Sequence, residues 1–476
     1  MIDKKFERNV FKMFISNILI VLSGVISGFI LPNILGVTGY GYYKIFNLYT
    51  TYIVFCDLGL ANGIYLLFGG YSFDTLPKEK FRLYFKVLCI IQLFFTIAFI
   101  MISISFMKGE YIFIFFMLGL FLIVNNISNY FEKISIAIGE FDALSFRNTL
   151  KSFMSLIIVL LLWLLKILNV NLVLYRAYVV LFFGVYLILS VQYCIFYKSI
   201  SFGKSVSFKE ERANIFKALK VGCMLLMADM IANLILTIDR QFVSILFDIN
   251  IYSIYSFAYS MLKIIVIAIS AISTVLYPSL KRMNKAEMKN SYTKTLIVIM
   301  IIAFNSQLAY YPLCIVVNYF LPNYIESLNI FRVLFPSITI NIIISMIIIN
   351  HYKALQKQNL YFVITSIVLA ISVILNFLAY MVTHKPIGFS IASVITMVFW
   401  YLISDYYISR EYNIRNFKEL LFMMVNILGY YIISFEVQNY YCGFIFNTLF
   451  IIFVCLIFYK NQTLNLIFGK KRGEKQ

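Results

Sequence analysis

Charge is what this chain has least of. Only 13% of its 476 residues are charged, and just 21 of them are acidic. A soluble protein of that length would need a far more charged exterior, so a soluble globular fold is excluded. Histidine is scarcer still: His351 and His384 are the only two. They fall at opposite ends of predicted helices, which argues against a histidine-based metal centre, and no metal or cofactor is expected. Cys56, Cys89, Cys194, Cys223, Cys314, Cys442 and Cys455 are scattered singly, so their spacing supports neither a disulfide framework nor a metal site. Long polar segments are missing as well. The longest, 71–82, 199–212 and 281–290, leave no room for a soluble domain.

What the chain has is apolar length. It is 62% hydrophobic and 18% aromatic, with a mean hydropathy of +0.89. Apolar runs recur from end to end, each near the ~20 residues that a bilayer core requires. They predict helices at 10–31, 40–68, 83–107, 111–131, 146–168, 172–197, 217–246, 252–277, 295–320, 329–350, 360–382, 387–409, 419–435 and 440–459. The fold expected is therefore an all-α integral membrane protein with about fourteen transmembrane helices. The first run has no small-residue cleavage site and a second follows at once, so it reads as a retained helix.

The net charge of +19 suggests a nucleic-acid partner until its placement is considered. With alternate connections assigned to one side, that side holds 32 of the 40 Lys and Arg residues. The other eight are Lys44, Lys108, Lys166, Arg176, Arg240, Lys263, Arg332 and Lys385. This is the positive-inside pattern, with both termini cytoplasmic; it implies contact with membrane lipids and no nucleic acid. The opposite side has short connections and only isolated acids such as Asp248, Glu326 and Glu436. A membrane enzyme acting on glycans there would need larger loops or an array of carboxylates, so the reading is a transporter and not an enzyme.

Two cations lie deep inside apolar spans. Arg240 and Lys263 would each cost roughly 2.5–3.5 kcal/mol at mid-bilayer, so such residues face protein or a polar cavity. In the seventh span Asp229, Asn233, Thr237 and Arg240 fall within roughly an 80° arc, a polar stripe down one helical face. Asp239 or Arg240 serves either as an ion pair holding the helices or, for Arg240, as a cargo contact. Lys263 shares its face with Tyr252, Ser256, Tyr259 and Ser270; it stands either in a cavity or paired with Asp229 or Asp57. Lys44 and Arg332, near the outer ends of their helices, reach either headgroups or cargo. Asp57 and Asp229 read as buried carboxylates, either structural partners or coupling sites, and desolvation singles out Asp229 as the better proton site. Pro312 and Pro336 are expected to kink their helices.

A faint repeat relates Tyr40-Gly41-Tyr42-Tyr43 to Tyr252-Ser253-Ile254-Tyr255. Other motifs add to it: Gly24 and Gly28; Leu31-Pro32-Asn33-Ile34-Leu35-Gly36; Asp57-Leu58-Gly59-Leu60; Asp239-Arg240; Asn376; and Gly388 with Ser390 and Ser393. In order and spacing, over about residues 8–410, the chain resembles the polysaccharide flippases of the multidrug/oligosaccharidyl-lipid/polysaccharide exporter superfamily. Helix one lacks an internal charge, with only Lys12 at its mouth, which departs from the lipid II flippases.

The resemblance implies two six-helix lobes around a central cavity, over 1–212 and 213–410. Residues 411–476 would add two helices and a basic cytoplasmic tail. It further implies alternating access in a bacterial cytoplasmic (inner) membrane. The cargo would be a polyprenyl-diphosphate-linked glycan for O-antigen, lipopolysaccharide or capsule. Arg240, Lys263, Lys44 and Arg332 would be substrate contacts, and Asp229, Asp239 and Asp57 coupling groups or structural partners. A polysaccharide polymerase and a chain-length regulator are the expected protein partners. The alternatives are a cation-coupled multidrug exporter of the same superfamily and a membrane polysaccharide polymerase.

Overall fold

The apolar runs fold as helices, with boundaries set by glycine, proline and short polar turns. The computed structural model describes residues 4–270, 280 and 283–468. Residues 271–277 of the eighth expected span, the side chain of Ser270, Lys281, Arg282 and the basic tail from Lys470 to Lys475 lie outside the described residues, as do the side chains of Lys4, Lys5 and Arg8.

The helices are α1 (Lys4–Ile53), α2 (Leu60–Leu67), α3 (Lys78–Phe106), α4 (Glu110–Ile138), α5 (Phe141–Ile167), α6 (Leu174–Phe196) and α7 (Phe208–Ile235). There follow α8 (Ile238–Leu246), α9 (Ile249–Ser270), α10 (Lys285–Asn305), α11 (Tyr310–Phe320) and α12 (Ser327–Ile343). After a π-helical turn over Ile344–Ile348 and one further short helix come α13 (Gln358–Thr383), α14 (Pro386–Tyr412), α15 (Phe417–Glu436) and α16 (Tyr440–Phe468).

Twelve helices among the described residues are long and apolar enough to cross a membrane, against about fourteen expected. The spans expected at 10–31 and 40–68 fall largely in one run, Ile15–Asp57, bent where Gly36 adopts φ 68°. The run at 252–277 is described only in part. Pro312 does not kink a continuous helix: a 3-10 turn over Ser306–Ala309 already ends α10, and Pro312 sits in the first turn of α11, where a missing N–H costs little. Pro336 lies inside α12.

The helices pack into two units. One comprises Met1–Leu234 with Asp248–Ser253, the other Ile235–Phe247 with Ile254–Gln476. The boundary falls after α7, which the sequence had placed at the start of the second lobe, and the last two helices pack within the second unit.

Glycine explains the place of α7. A Cβ on Gly59 would overlap the backbone of Gly222 and Cys223, and one on Gly63 the backbone of Ala218. One on Gly222 would meet the carbonyl of Gly59. Gly59-x-x-x-Gly63 thus faces Ala218-x-x-x-Gly222, the small-residue pattern that lets membrane helices approach backbone to backbone. Gly59 also has φ 83°.

Within each unit the polar connections meet in the groups that alternation demands. In the first, Lys12 pairs with Asp142 at 2.6 Å and Lys80 with Glu211 at 3.0 Å, while Arg82 donates to the carbonyls of Ser199 and Lys204. At the other end Arg176 pairs with Glu110, and Lys166 donates to the Asn33 carbonyl. In the second, Lys285 and Lys357 both bind Glu411. The Tyr252 hydroxyl donates to the carbonyl of Lys44, the residue after the first tyrosine element, at 3.1 Å.

Gly222→Ala should cost about 1–3 kcal/mol through overpacking, read as a lowered thermal midpoint in detergent. Gly24→Ala, with nothing within 4 Å of its Cβ, should leave the midpoint unchanged or slightly raised. Equal midpoints for the two variants would refute the close crossing.

Candidate functional site

Two helix breaks inside apolar runs carry the chemistry. The first follows α1. A 3-10 turn over Val54–Asp57 and left-handed Leu58 and Gly59 interrupt the helix and strand its carbonyls. In hydrocarbon such groups must find partners within the protein. Asn126 of α4 donates to the Ile53 carbonyl at 3.0 Å and Gln92 of α3 to the Cys56 carbonyl at 3.1 Å. Asn126 also donates to Gln92, tying both to one another.

Asp57 completes this break. Its carboxylate accepts from the backbone N–H groups of Gly59 at 2.8 Å and Ala61 at 3.3 Å, so it caps the start of α2. It is buried as expected, yet among the described residues it forms no ion pair.

The second break separates α7 from α8. Helical geometry stops at Ile235 and resumes at Ile238, so the stripe expected from Asp229 to Arg240 is not continuous. Asp229, expected to be a buried carboxylate, is exposed on α7. Asp229 therefore does not share one continuous helical face with Arg240, because uniform 100° spacing does not carry through the break. Its carbonyl accepts from the Asn233 side chain one turn on.

Asp239, at the start of α8, is 1% exposed. One carboxylate oxygen accepts from the Arg240 backbone N–H at 2.7 Å. The other accepts from the hydroxyls of Tyr255 at 2.7 Å, Ser393 at 2.9 Å and Tyr259. These hydrogen bonds join α8, α9 and α14. The ion pair considered for Asp239 does not form among the described residues; neutral hydroxyls take its place.

Arg240 is half-buried beside it. One terminal nitrogen donates to the Leu236 carbonyl at 2.7 Å, closing the carbonyl freed by the break. The guanidinium lies over the Tyr259 ring, 4.5 Å from its centroid, and among the described residues Nε has no hydrogen-bond partner. Lys263 stands one helical turn past Tyr259 on α9 and is exposed. Tyr259 therefore sits between the two cations that the sequence singled out.

The other two expected contacts lie elsewhere. Lys44 of the first unit rests over the rings of Tyr40 and Tyr43, at 4.9 and 5.1 Å. Arg332 of the second donates to the Tyr310 hydroxyl at 2.9 Å and lies over the Phe435 ring. That packing binds α11, α12 and α15 together. Gln92, Asn126 and Ser393 were not among the candidates. A lone amide in an apolar run was the available signal for the first two.

A family model described as polysaccharide biosynthesis protein matches residues 6–284. No functionally curated protein matches the sequence. Among solved structures the chain is similar to the lipid II flippase MurJ in an inward closed conformation: 14% identity, 96% of this chain and 99% of that one, TM-score 0.69. It is also similar to a multidrug resistance MATE family transporter of the MOP superfamily. The inward-facing form gives 14% identity over 85% of this chain and 94% of that one, TM-score 0.56. The outward-facing form gives 12% over 85% and 95%, TM-score 0.53. At these identities the likeness is one of fold.

Asp239→Ala leaves three hydroxyls and a backbone N–H without their acceptor and should cost about 3 kcal/mol or more. Asp229→Ala, whose side chain lies outside that network, should cost less. Thermal midpoints of the two purified variants check this; a larger loss for Asp229→Ala would contradict the assignment.

Proposed function

The chain belongs to the polysaccharide biosynthesis protein family, and from that premise we propose that it is a flippase. It carries a polyprenyl-diphosphate-linked oligosaccharide repeat unit from the cytoplasmic to the outer leaflet by alternating access. The glycan serves surface polysaccharide, as O-antigen of lipopolysaccharide or as capsule. The protein works in a bacterial cytoplasmic membrane with both termini inside, and hands its cargo to a polymerase with its chain-length regulator.

The observation that carries this reading is the guanidinium of Arg240, held among apolar helices with Nε unpartnered and Lys263 one turn from the ring it covers. A diphosphate brings concentrated negative charge into hydrocarbon. Arg meets it with a fork of donors and Lys with a point charge. Arg240 and Lys263 are therefore the primary contacts. Lys44 would act as a secondary contact near the outer end, and Arg332, held by Tyr310 and Phe435, would add field more than direct contact.

The drug-exporter reading would want carboxylates available to cationic cargo or coupling ions. Asp57 and Asp239 are instead filled by internal donors. A polymerase would need the outer loops that the sequence lacks.

In inside-out vesicles carrying a fluorescent lipid-linked sugar, the Arg240→Ala, Lys263→Ala double variant should translocate at least about tenfold more slowly, the loss of roughly one charged hydrogen bond. Insertion should be unchanged. Parental rates in that variant would remove both residues from the cargo path.

A further inference from the structure

The first unit contains a second cationic centre. Arg147 lies in α5, six residues past its first residue, so roughly 9 Å along the helix axis. Its side chain is 7% exposed. It pairs with Glu132 of α4 and its guanidinium lies 5.6 Å from the centroid of the Tyr193 ring of α6. One turn further on α5, Lys151 places its ammonium 4.9 Å from the centroid of the Tyr186 ring, about two turns from Tyr193 on the same α6.

Three features of this cluster point to a ligand. Among the described residues the Arg147 Nε is buried without a hydrogen-bond partner, and the Tyr193 ring lies beside it. Buried donors in native proteins are almost always satisfied, so unmatched ones mark a place for an acceptor. Arg147 and Lys151 stand one turn apart on α5, and among the described residues only Arg147 has a carboxylate partner, Glu132, which leaves an excess of positive charge. Glu132 keeps 34% of its side chain exposed, so the Arg147 pair can be approached from outside the packed helices.

We propose that Arg147, Lys151 and Tyr193 form an anion-binding site for a phosphate ester, with Glu132 as the resident counter-charge that the ligand displaces. Resting on the flippase reading above, the ligand is the diphosphate of the lipid carrier. Arg147 supplies forked donors, Lys151 a point charge and Tyr193 a hydroxyl. Tyr186 holds the Lys151 ammonium in place through its ring. This gives the first unit a cationic contact besides Lys44 of α1.

The test is binding by the full-length protein in phosphatidylcholine nanodiscs, with polyprenyl diphosphate, inorganic diphosphate and phosphatidylglycerol as separate probes. Polyprenyl diphosphate should bind and be displaced by inorganic diphosphate. Lys151→Gln should weaken its binding at least tenfold. Glu132→Gln should tighten it at least threefold, because the ligand no longer competes with a carboxylate; a merely structural ion pair would not produce that gain. Arg147→Gln should abolish binding, and the two milder variants decide the matter if it misfolds. Affinities within twofold of the parent for both Lys151→Gln and Glu132→Gln, with polyprenyl diphosphate still bound, would overturn the site and leave the flippase reading standing. Failure of the parent to bind polyprenyl diphosphate would overturn both. Phosphatidylglycerol binding as tightly as the diphosphate carrier would overturn the assigned ligand in favour of a bilayer headgroup.

Discussion

Hydrocarbon offers no hydrogen bonds, and that constraint organises the rest of this molecule. Where a helix stays intact its backbone satisfies itself. Where it breaks, side chains must close the account, and the two main breaks do so with the same devices. After α1, Asp57 takes two backbone N–H groups while Asn126 and Gln92 take two carbonyls. After α7, Asp239 takes the Arg240 N–H while Arg240 takes the Leu236 carbonyl. Both carboxylates are 1% exposed at a helix start, where the helix dipole favours negative charge.

This pattern separates what was legible in the sequence from what was not. Span lengths follow from composition, because about twenty apolar residues are needed whatever their identity. The grouping of connections at one end is legible too: Lys285, Lys357 and Glu411 come from three connections placed together by alternation alone, and they meet. The breaks were not legible. Leu58 and residues 236–237 look like any other part of an apolar run, so one helix was drawn through each. That error placed Asp229 on one continuous stripe with Arg240. The Arg147–Glu132 pair was hidden for a related reason: Arg147 stands at the very start of the span expected at 146–168, whereas α5 begins at Phe141 and carries it further into the helix.

The pairing of carboxylate and cation at the second break ties stability to function. Asp239 is saturated by Tyr255, Tyr259 and Ser393 and so holds α8 against α9 and α14. That frame fixes the backbone from which Arg240 projects, and the Tyr259 ring supports its guanidinium. Asp239 accepts from the Arg240 backbone N–H, and among the described residues it forms no side-chain ion pair with the guanidinium. The guanidinium keeps an unused donor, which is the property an anionic cargo requires.

The central claim is that cationic side chains inside the bundle carry a phosphate-bearing lipid, so the most direct measurement varies the charge of the carrier and leaves the protein intact. Purified protein in liposomes would be given one oligosaccharide on two carriers, a polyprenyl diphosphate and an uncharged polyprenyl ether of equal chain length. Leaflet exchange would be followed by lectin capture. The account predicts that the protein accelerates exchange of the diphosphate-linked glycan at least tenfold over the ether-linked one. Equal acceleration of both carriers would contradict it.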